Sequence, residues 1–600
     1  MGKRVRFCSD GVYTGSDQDA TAQTDYGDGV VGLTVFESNG INSILLDDMT
    51  PLHYACLEKS FELVRYQLVE KGADVNSRTL KHMETPLHLL CRNSSPHSSE
   101  VPHILTLLMK EYRADATLSN ICGDNALHLA CGSNQMAISR WLLEHDMINI
   151  HDTNKYGETP LHRAIAKGNY AMFKMLIEEF GADPYQGFQN ALSYAAQCGQ
   201  YEIANYVVQW TDKDEGVHKI DEILNSIDQS GKTSLHHACE HGHLRIVQLL
   251  ISRSADTEIV EKKISEDVCL GRTPFDVACA YGHVDVALFL AHEANANVEH
   301  RDFYGRTPLI AACSEGSLPM IQTLIESIEC DVNATVEYSG ATILHMALNS
   351  GREDIMRYLA SNSSIDKETV DALGSTVLYA ACQVGMESMV KSLVLNGANI
   401  QVRNLKTGWT PLLAACHAGC VDTARLLIEH GADTASTSND NDSAMSIACQ
   451  FQLNEIVLLL IEHKADPNLA DSNQRWTALF HACKNDDSDL VRILVENGEA
   501  DVNFKDSCGK TPLHHMAEIG NCEMVRLLGS YGADVNSTDN DGCTALHYSI
   551  LGGYRALAKL LLLELKADMD ICTKDGRTVV SMGGLHIIGE KVLCELEMLD

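Results

Sequence analysis

No apolar run in this chain approaches a membrane span: the longest aliphatic cluster is Leu560–Leu563, where about 20 residues are required. Aromatic residues are scarce, 6% of a composition that is 45% hydrophobic, so any core must be built from small aliphatic side chains. That hydrophobic content is too high for a chain that is disordered throughout. Positive charge is also in short supply. With 46 Lys and Arg against 82 Asp and Glu the formal net charge is −36, which repels a phosphate backbone and argues against nucleic acid as the ligand. Two readings of the acidic excess stand: a solvated coat that keeps a large surface soluble, or a field that favours basic or neutral protein surfaces.

Targeting and catalytic signatures are missing as well. Met1–Ala20 carries three basic residues with no apolar run behind them, which is not a secretory signal. Arg6 stands where a myristoylation site needs Ser or Thr, and Glu597-Met598-Leu599-Asp600 is no prenylation box. The expectation is a soluble protein of the cytoplasm, with the nucleus as the alternative, and no membrane insertion. There is no Gly-x4-Gly-Lys-Ser/Thr, no Gly-x-Ser-x-Gly, no kinase signature and no His-Glu-x-x-His. The 21 cysteines include no Cys-x-x-Cys pair. No enzyme, no cofactor and no metal are expected.

What the chain does contain is repetition. Thr50-Pro51-Leu52-His53 recurs as Thr85-Pro86-Leu87-His88, Thr159-Pro160-Leu161-His162 and Thr511-Pro512-Leu513-His514. With degenerate copies, the Thr column runs 50, 85, 125, 159, 190, 233, 273, 307, 342, 376, 410, 443, 477, 511, 544 and 578, with Asn125, Asn190 and Ser443 substituting. Eleven of the fifteen intervals are 33 to 35 residues. In the unit around Thr477 a short helix through Phe480, Ala482 and Cys483 precedes a polar break at Asn485–Ser488. Leu490, Val491, Ile493, Leu494 and Val495 then give the spacing of a second apolar helix face. Gly498 is expected to stop that helix in the left-handed conformation, and Thr511-Pro512 to cap and open the next first helix.

This pattern resembles the ankyrin repeat. The resemblance implies an all-α solenoid of stacked helix-turn-helix units with projecting β-turn loops. It places a flexible tail at residues 1–30, a partial repeat or cap at 31–48, about fifteen repeats over 49–577 and a degenerate capping repeat at 578–600. Ten cysteines (Cys56, Cys91, Cys131, Cys239, Cys279, Cys313, Cys382, Cys416, Cys449 and Cys483) fall six positions after the Thr column. Copies one helix-packing distance apart, roughly 8–10 Å, are beyond disulfide or shared-zinc reach. They read as small buried apolar groups. The recurring histidine, which in this family hydrogen-bonds backbone between loops, reads as structural for the same reason.

Resemblance also implies binding of proteins along the concave face and the loop tips, by a scaffold or adaptor that acts as a monomer without nucleic acid. Substrate receptor of a ubiquitin ligase, regulatory subunit or inhibitor of an enzyme, and the cytosolic region of a TRP-type channel are the alternatives. The fifth residue of each unit varies: Tyr54, Leu89, Leu129, Arg163 and Tyr194 are candidate contact residues on the concave side. Tyr156, Phe303, Tyr304 and Tyr338 are the candidates at loop tips. Insertions at 212–225 and 261–268 must emerge as loops, either as a recognition site or bend or as neutral drift.

Overall fold

The computed structural model describes residues 49–92, 99–211, 223–262 and 270–584. The expected tail at 1–30, the partial repeat at 31–48, most of both insertions and the end of the capping repeat beyond 584 lie outside the described residues. The chain divides into two compact units, Met1–Ile223 and Leu224–Asp600, and the same two-helix repeat builds each. In the N-terminal unit the first helices are Pro51–Leu57, Pro86–Arg92, Ala126–Gly132, Pro160–Ala166 and Ala191–Cys198, each packed on the next. In the C-terminal unit a row of first helices from Ser234–Glu240 to Ala545–Leu551 does the same. The second helices, such as Leu244–Ser252, pack along the other side. Among the described residues there is no strand, only isolated bridges between Thr335 and Thr342 and between Thr437 and Ser443. The fold is the expected all-α ankyrin solenoid.

Each first helix begins where the sequence places it because its cap is chemical. Thr233 Oγ1 accepts the backbone N–H of His236, and Asn125, Asn190 and Ser443 supply an equivalent side-chain acceptor where Thr is replaced. Proline follows at the first helical position in several repeats, where no amide hydrogen is missed. Leu52, Leu87, Leu127 and the cysteine column are buried at the interfaces between first helices.

Second helices end in more than one way. Among the described residues, four of them finish in a π-helical turn, at Tyr66–Glu70, Thr106–Glu111, Ile493–Asn497 and Leu560–Glu564. After each, the next alanine N–H reaches six residues back, as in Ala73 to Gln67 and Ala500 to Leu494. After several second helices that end without it the reach is five, as in Ala398 to Leu393, Ala432 to Leu427 and Ala533 to Leu528. One inserted residue is thus absorbed without moving the stacked apolar face. The insertion also corrects the expectation for Gly498, which is right-handed with φ −102°, while Glu499 takes the left-handed conformation at φ 58°. The extra residue moves the left-handed position one step along the chain, off the glycine.

The loops are pinned from within and from the neighbouring repeat. In many repeats an Asn or Asp five residues before the cap accepts two backbone N–H groups: Asn154 Oδ1 takes those of Tyr156 and Glu158, and Asp302 Oδ1 takes those of Tyr304 and Arg306. Turn tips then bond to one another, Glu337 N–H to Gly305 O at 3.2 Å, Ala372 to Ser339 at 2.7 Å and Leu405 to Gly374 at 3.0 Å. Gly305 has to be glycine on two counts. Its φ is +71°, and a Cβ there would sit 2.5 Å from Glu337 Cβ.

Candidate functional site

The repeated histidines and cysteines are accounted for by stacking. Histidine Nδ1 accepts both the backbone N–H and the hydroxyl of its own capping Thr, at 3.1 and 2.7 Å for His88. That leaves the proton on Nε2, which donates to the carbonyl just before the next cap residue: His53 to Glu84, His88 to Asp124 and His162 to Gln189. His128 Nε2 lies 3.0 Å from the corresponding Glu158 carbonyl, but its cap is Asn125, whose Oδ1 has no proton to give. In the C-terminal unit His236, His345 and His514 make the same bond to Arg272, Ser375 and Cys543. Burial pushes His88 and His236 down to about 4, so these rings stay neutral. The ten cysteines of the column are unpaired and buried, with Cys131 and Cys416 thiols pushed up to about 12 by desolvation. Thiols so disfavoured as thiolate are poor nucleophiles and poor metal ligands.

The fifth residue is less free than its variability implies. Tyr54 is 39% exposed, but Leu89 is 3% and Tyr194 9% exposed, and Leu129 and Arg163 are half-buried. Arg163 bridges Asp124 at 2.8 Å and Glu158 at 3.3 Å, and the Tyr194 hydroxyl donates to the same Glu158 at 2.8 Å. Asn154 Nδ2 donates to both carboxylates, so Arg163 and Tyr194 are joined in one polar network. In the C-terminal unit the equivalent residues reach back nine positions to the loop carboxylate: His237 to Asp228 at 2.7 Å, His515 to Asp506 at 2.8 Å and Tyr548 to Asp539 at 2.6 Å. Different side chains at this position perform one task, bracing the loop from the first helix.

Loop tips are where large apolar side chains face water. Phe303 is 59%, Tyr304 48% and Tyr338 76% exposed. The structure adds two residues that a search for aromatics passes over, Leu373 at 64% and Leu405 at 72%. These five lie on four consecutive turns joined by the tip-to-tip bonds, after which the tips turn polar at Asn439, Ser472 and Ser507. A second, shorter series occupies the N-terminal unit, with Leu80 75%, Ile121 49% and Tyr156 66% exposed. For Phe303, Tyr304, Leu373, Leu405, Ile121 and Tyr156 the signal was available in sequence as an apolar residue within two places of the loop Asp or Asn. Trp409 and Trp476, which directly precede their Thr, are half-buried against their own repeats; Trp476 stacks on Phe480 with centroids 5.8 Å apart.

The family described as Ankyrin repeats (3 copies) matches in overlapping blocks from residue 87 to 575, and the single Ankyrin repeat matches 47–80. The E3 ubiquitin-protein ligase Ufd4 of Drosophila melanogaster is 34% identical over 111 residues, 18% of this chain and 4% of that protein. The Probable 26S proteasome regulatory subunit p28 of Saccharomyces cerevisiae is 32% identical over 132 residues, 22% of this chain and 58% of that protein. Each match spans three to four repeats. Among solved structures, the ankyrin repeat domain of Bcl-3 aligns with TM-score 0.33 and 24% identity over 38% of this chain and 99% of its own. No helix among the described residues is long and apolar enough to cross a membrane. With repeat matches running from residue 47 to 575 over the capped, histidine-stapled helix pairs described above, the chain belongs to the ankyrin repeat family, whose repeats are protein–protein interaction modules.

Proposed function

We propose that this chain is a non-enzymatic protein-binding scaffold and that its principal contact surface is the row of turn tips Phe303, Tyr304, Tyr338, Leu373 and Leu405. The observation that carries this reading is the contrast in exposure. Most leucines and phenylalanines of the helices are buried to a few per cent, with isolated exceptions such as Leu395 and Leu551, whereas these five side chains are 48–76% exposed together on consecutive turns whose backbones are already hydrogen-bonded. A contiguous apolar surface on a rigid support is what binding needs, because little conformational entropy is lost on docking. Tyr54, Leu129 and Tyr156 are secondary contacts on this reading, while Leu89, Arg163 and Tyr194 act through the shape of the surface rather than by touching a partner. Residues 49–577 then form one functional array of about fifteen repeats, capped by 578–600.

The test is affinity capture from native extract with the full chain, compared with a variant carrying Phe303→Ser, Tyr304→Ser, Tyr338→Ser, Leu373→Ser and Leu405→Ser. A defined partner set that is lost in the variant, with thermal unfolding unchanged, supports the reading. Retention of the same set overturns it. Cullin components among the partners identify a ligase substrate receptor, and phosphatase or kinase subunits identify a regulatory role. Nucleic acid that stays bound at about 0.2 M salt counts against a protein partner.

A further inference from the structure

One first helix replaces the stapling histidine by an acid. In Pro274–Tyr281 the fourth residue of the motif is Asp276, 3% exposed, and it cannot donate to the following repeat as a histidine Nε2–H does. Its Oδ2 accepts the Thr273 N–H at 2.9 Å and meets His300 Nδ1 at 2.6 Å. Its Oδ1 is buried without a hydrogen-bond partner. A separation of 2.6 Å is slightly shorter than the roughly 2.7–2.9 Å usual for a charge-assisted N–H···O bond. His300 stands two residues before Asp302, the side chain that shapes the turn carrying Phe303 and Tyr304.

We propose that Asp276 and His300 form a proton-controlled latch that clamps the loop 297–306, and with it the Phe303–Tyr304 tip, onto the first helix Pro274–Tyr281. The groups around the pair favour the imidazolium. His300 faces Asp276, Glu258 of the preceding loop and Asp302 of its own, and the hydrogen bond to Asp276 raises its pKa above the usual 6.5 against the opposing effect of burial. Arg301, next in the chain, is turned away, donating to the carbonyls of Gly305 and Thr335 at 2.9 and 2.6 Å. Cys279, on the same helix as Asp276, is held as a neutral thiol by burial. Because the folded pKa is raised, the charge-assisted part of the latch contributes fully below 6.5 and is lost as pH rises through the folded value, leaving the weaker bond of a neutral Nδ1–H. The stapling histidines behave in the opposite sense, since burial lowers their pKa. That the latch tunes a docking tip rests on the proposed function; the latch itself does not.

The experiment is performed on the full chain. Histidine-selective ¹³C labelling follows the His300 resonance, assigned by its absence in His300→Gln, while hydrogen exchange monitors residues 297–306 at pH 6 and pH 9 after correction for chemical exchange. The expected results are a His300 midpoint above 6.5 and a loss of loop protection of about tenfold or more from pH 6 to pH 9, the range for a hydrogen bond to a charged group. Asp276→Asn should lower the His300 midpoint and give, at pH 6, the protection that wild type shows at pH 9. A wild-type midpoint at or below 6.5, or loop protection that does not change with it, overturns the latch even if Asp276→Asn does not fold. Partner capture plays no part in this readout, so the latch and the tip-binding reading fail separately.

Discussion

A stapling histidine is useful only while neutral, because Nδ1 must accept from its Thr and Nε2 must donate to the next repeat. An unfolded chain takes up a proton on each such ring below about 6.5, whereas His88 and His236 in the fold resist protonation down to about 4. Between those values the unfolded state binds more protons, so stability is fully present above 6.5 and falls as pH drops through the window. Each shift corresponds to on the order of 3 kcal/mol. Urea midpoints measured from pH 7 to 4.5 should fall, and the fall should be shallower in His88→Asn and His236→Asn. A pH-independent midpoint would show that the rings do not act as neutral staples. Removing the cap instead, with Thr85→Ala, should cost about 1–2 kcal/mol at pH 7 in a urea titration, since it deletes an N-cap and one partner of His88 Nδ1. That histidine and cysteine are structural was legible in the sequence, because repetition at a fixed column removes the uniqueness a catalytic group needs. The role of the fifth residue was not. Arg163, Tyr194, His237 and Tyr548 differ in chemistry, and only their meeting with Asp or Glu in three dimensions shows that they share a bracing task.

At the scale of the element, the second helix tolerates one extra residue by ending in a π turn, and the cost is a non-glycine residue in the left-handed region. Glu499→Gly should raise stability by up to about 1 kcal/mol, read as a higher urea midpoint with unchanged slope, because the strained φ of 58° is natural to glycine. No gain would mean that the Glu499 backbone is not strained. The turns have no such latitude. Gly305→Ala should destabilise by more than about 1 kcal/mol, through the positive φ and the collision with Glu337, and hydrogen exchange should show the loss in the turns of that repeat and the next. The placement of first helices, caps and breaks followed from Thr, Pro and the apolar spacing. The π turns did not, because two helices of 9 and 10 residues carry the same apolar periodicity and differ only in how their last carbonyls are met.

At the scale of the molecule, stability in a repeat array is a sum of each repeat and its contacts with its neighbours. Deleting Thr578–Asp600 removes the buried Val579 and should therefore uncover the face of the last full repeat at Ala545–Leu551 and lower protection there, while amides before Asn125 keep theirs. Uniform loss of hydrogen-exchange protection along the chain would show a single cooperative block. The sixteen-fold column of Thr, Asn and Ser foretold an array.

Sequence alone determined the repeat, its period and the identity of the stacking residues, because each repeat is folded by local caps and by contacts with an identical neighbour. Tertiary structure decided which side chains remain outside. Leu89 and Leu405 are both leucines, yet one is 3% and the other 72% exposed. Burial depends on what the adjoining repeat covers, and the bonds from tip to tip line up side chains that are more than thirty residues apart in the chain.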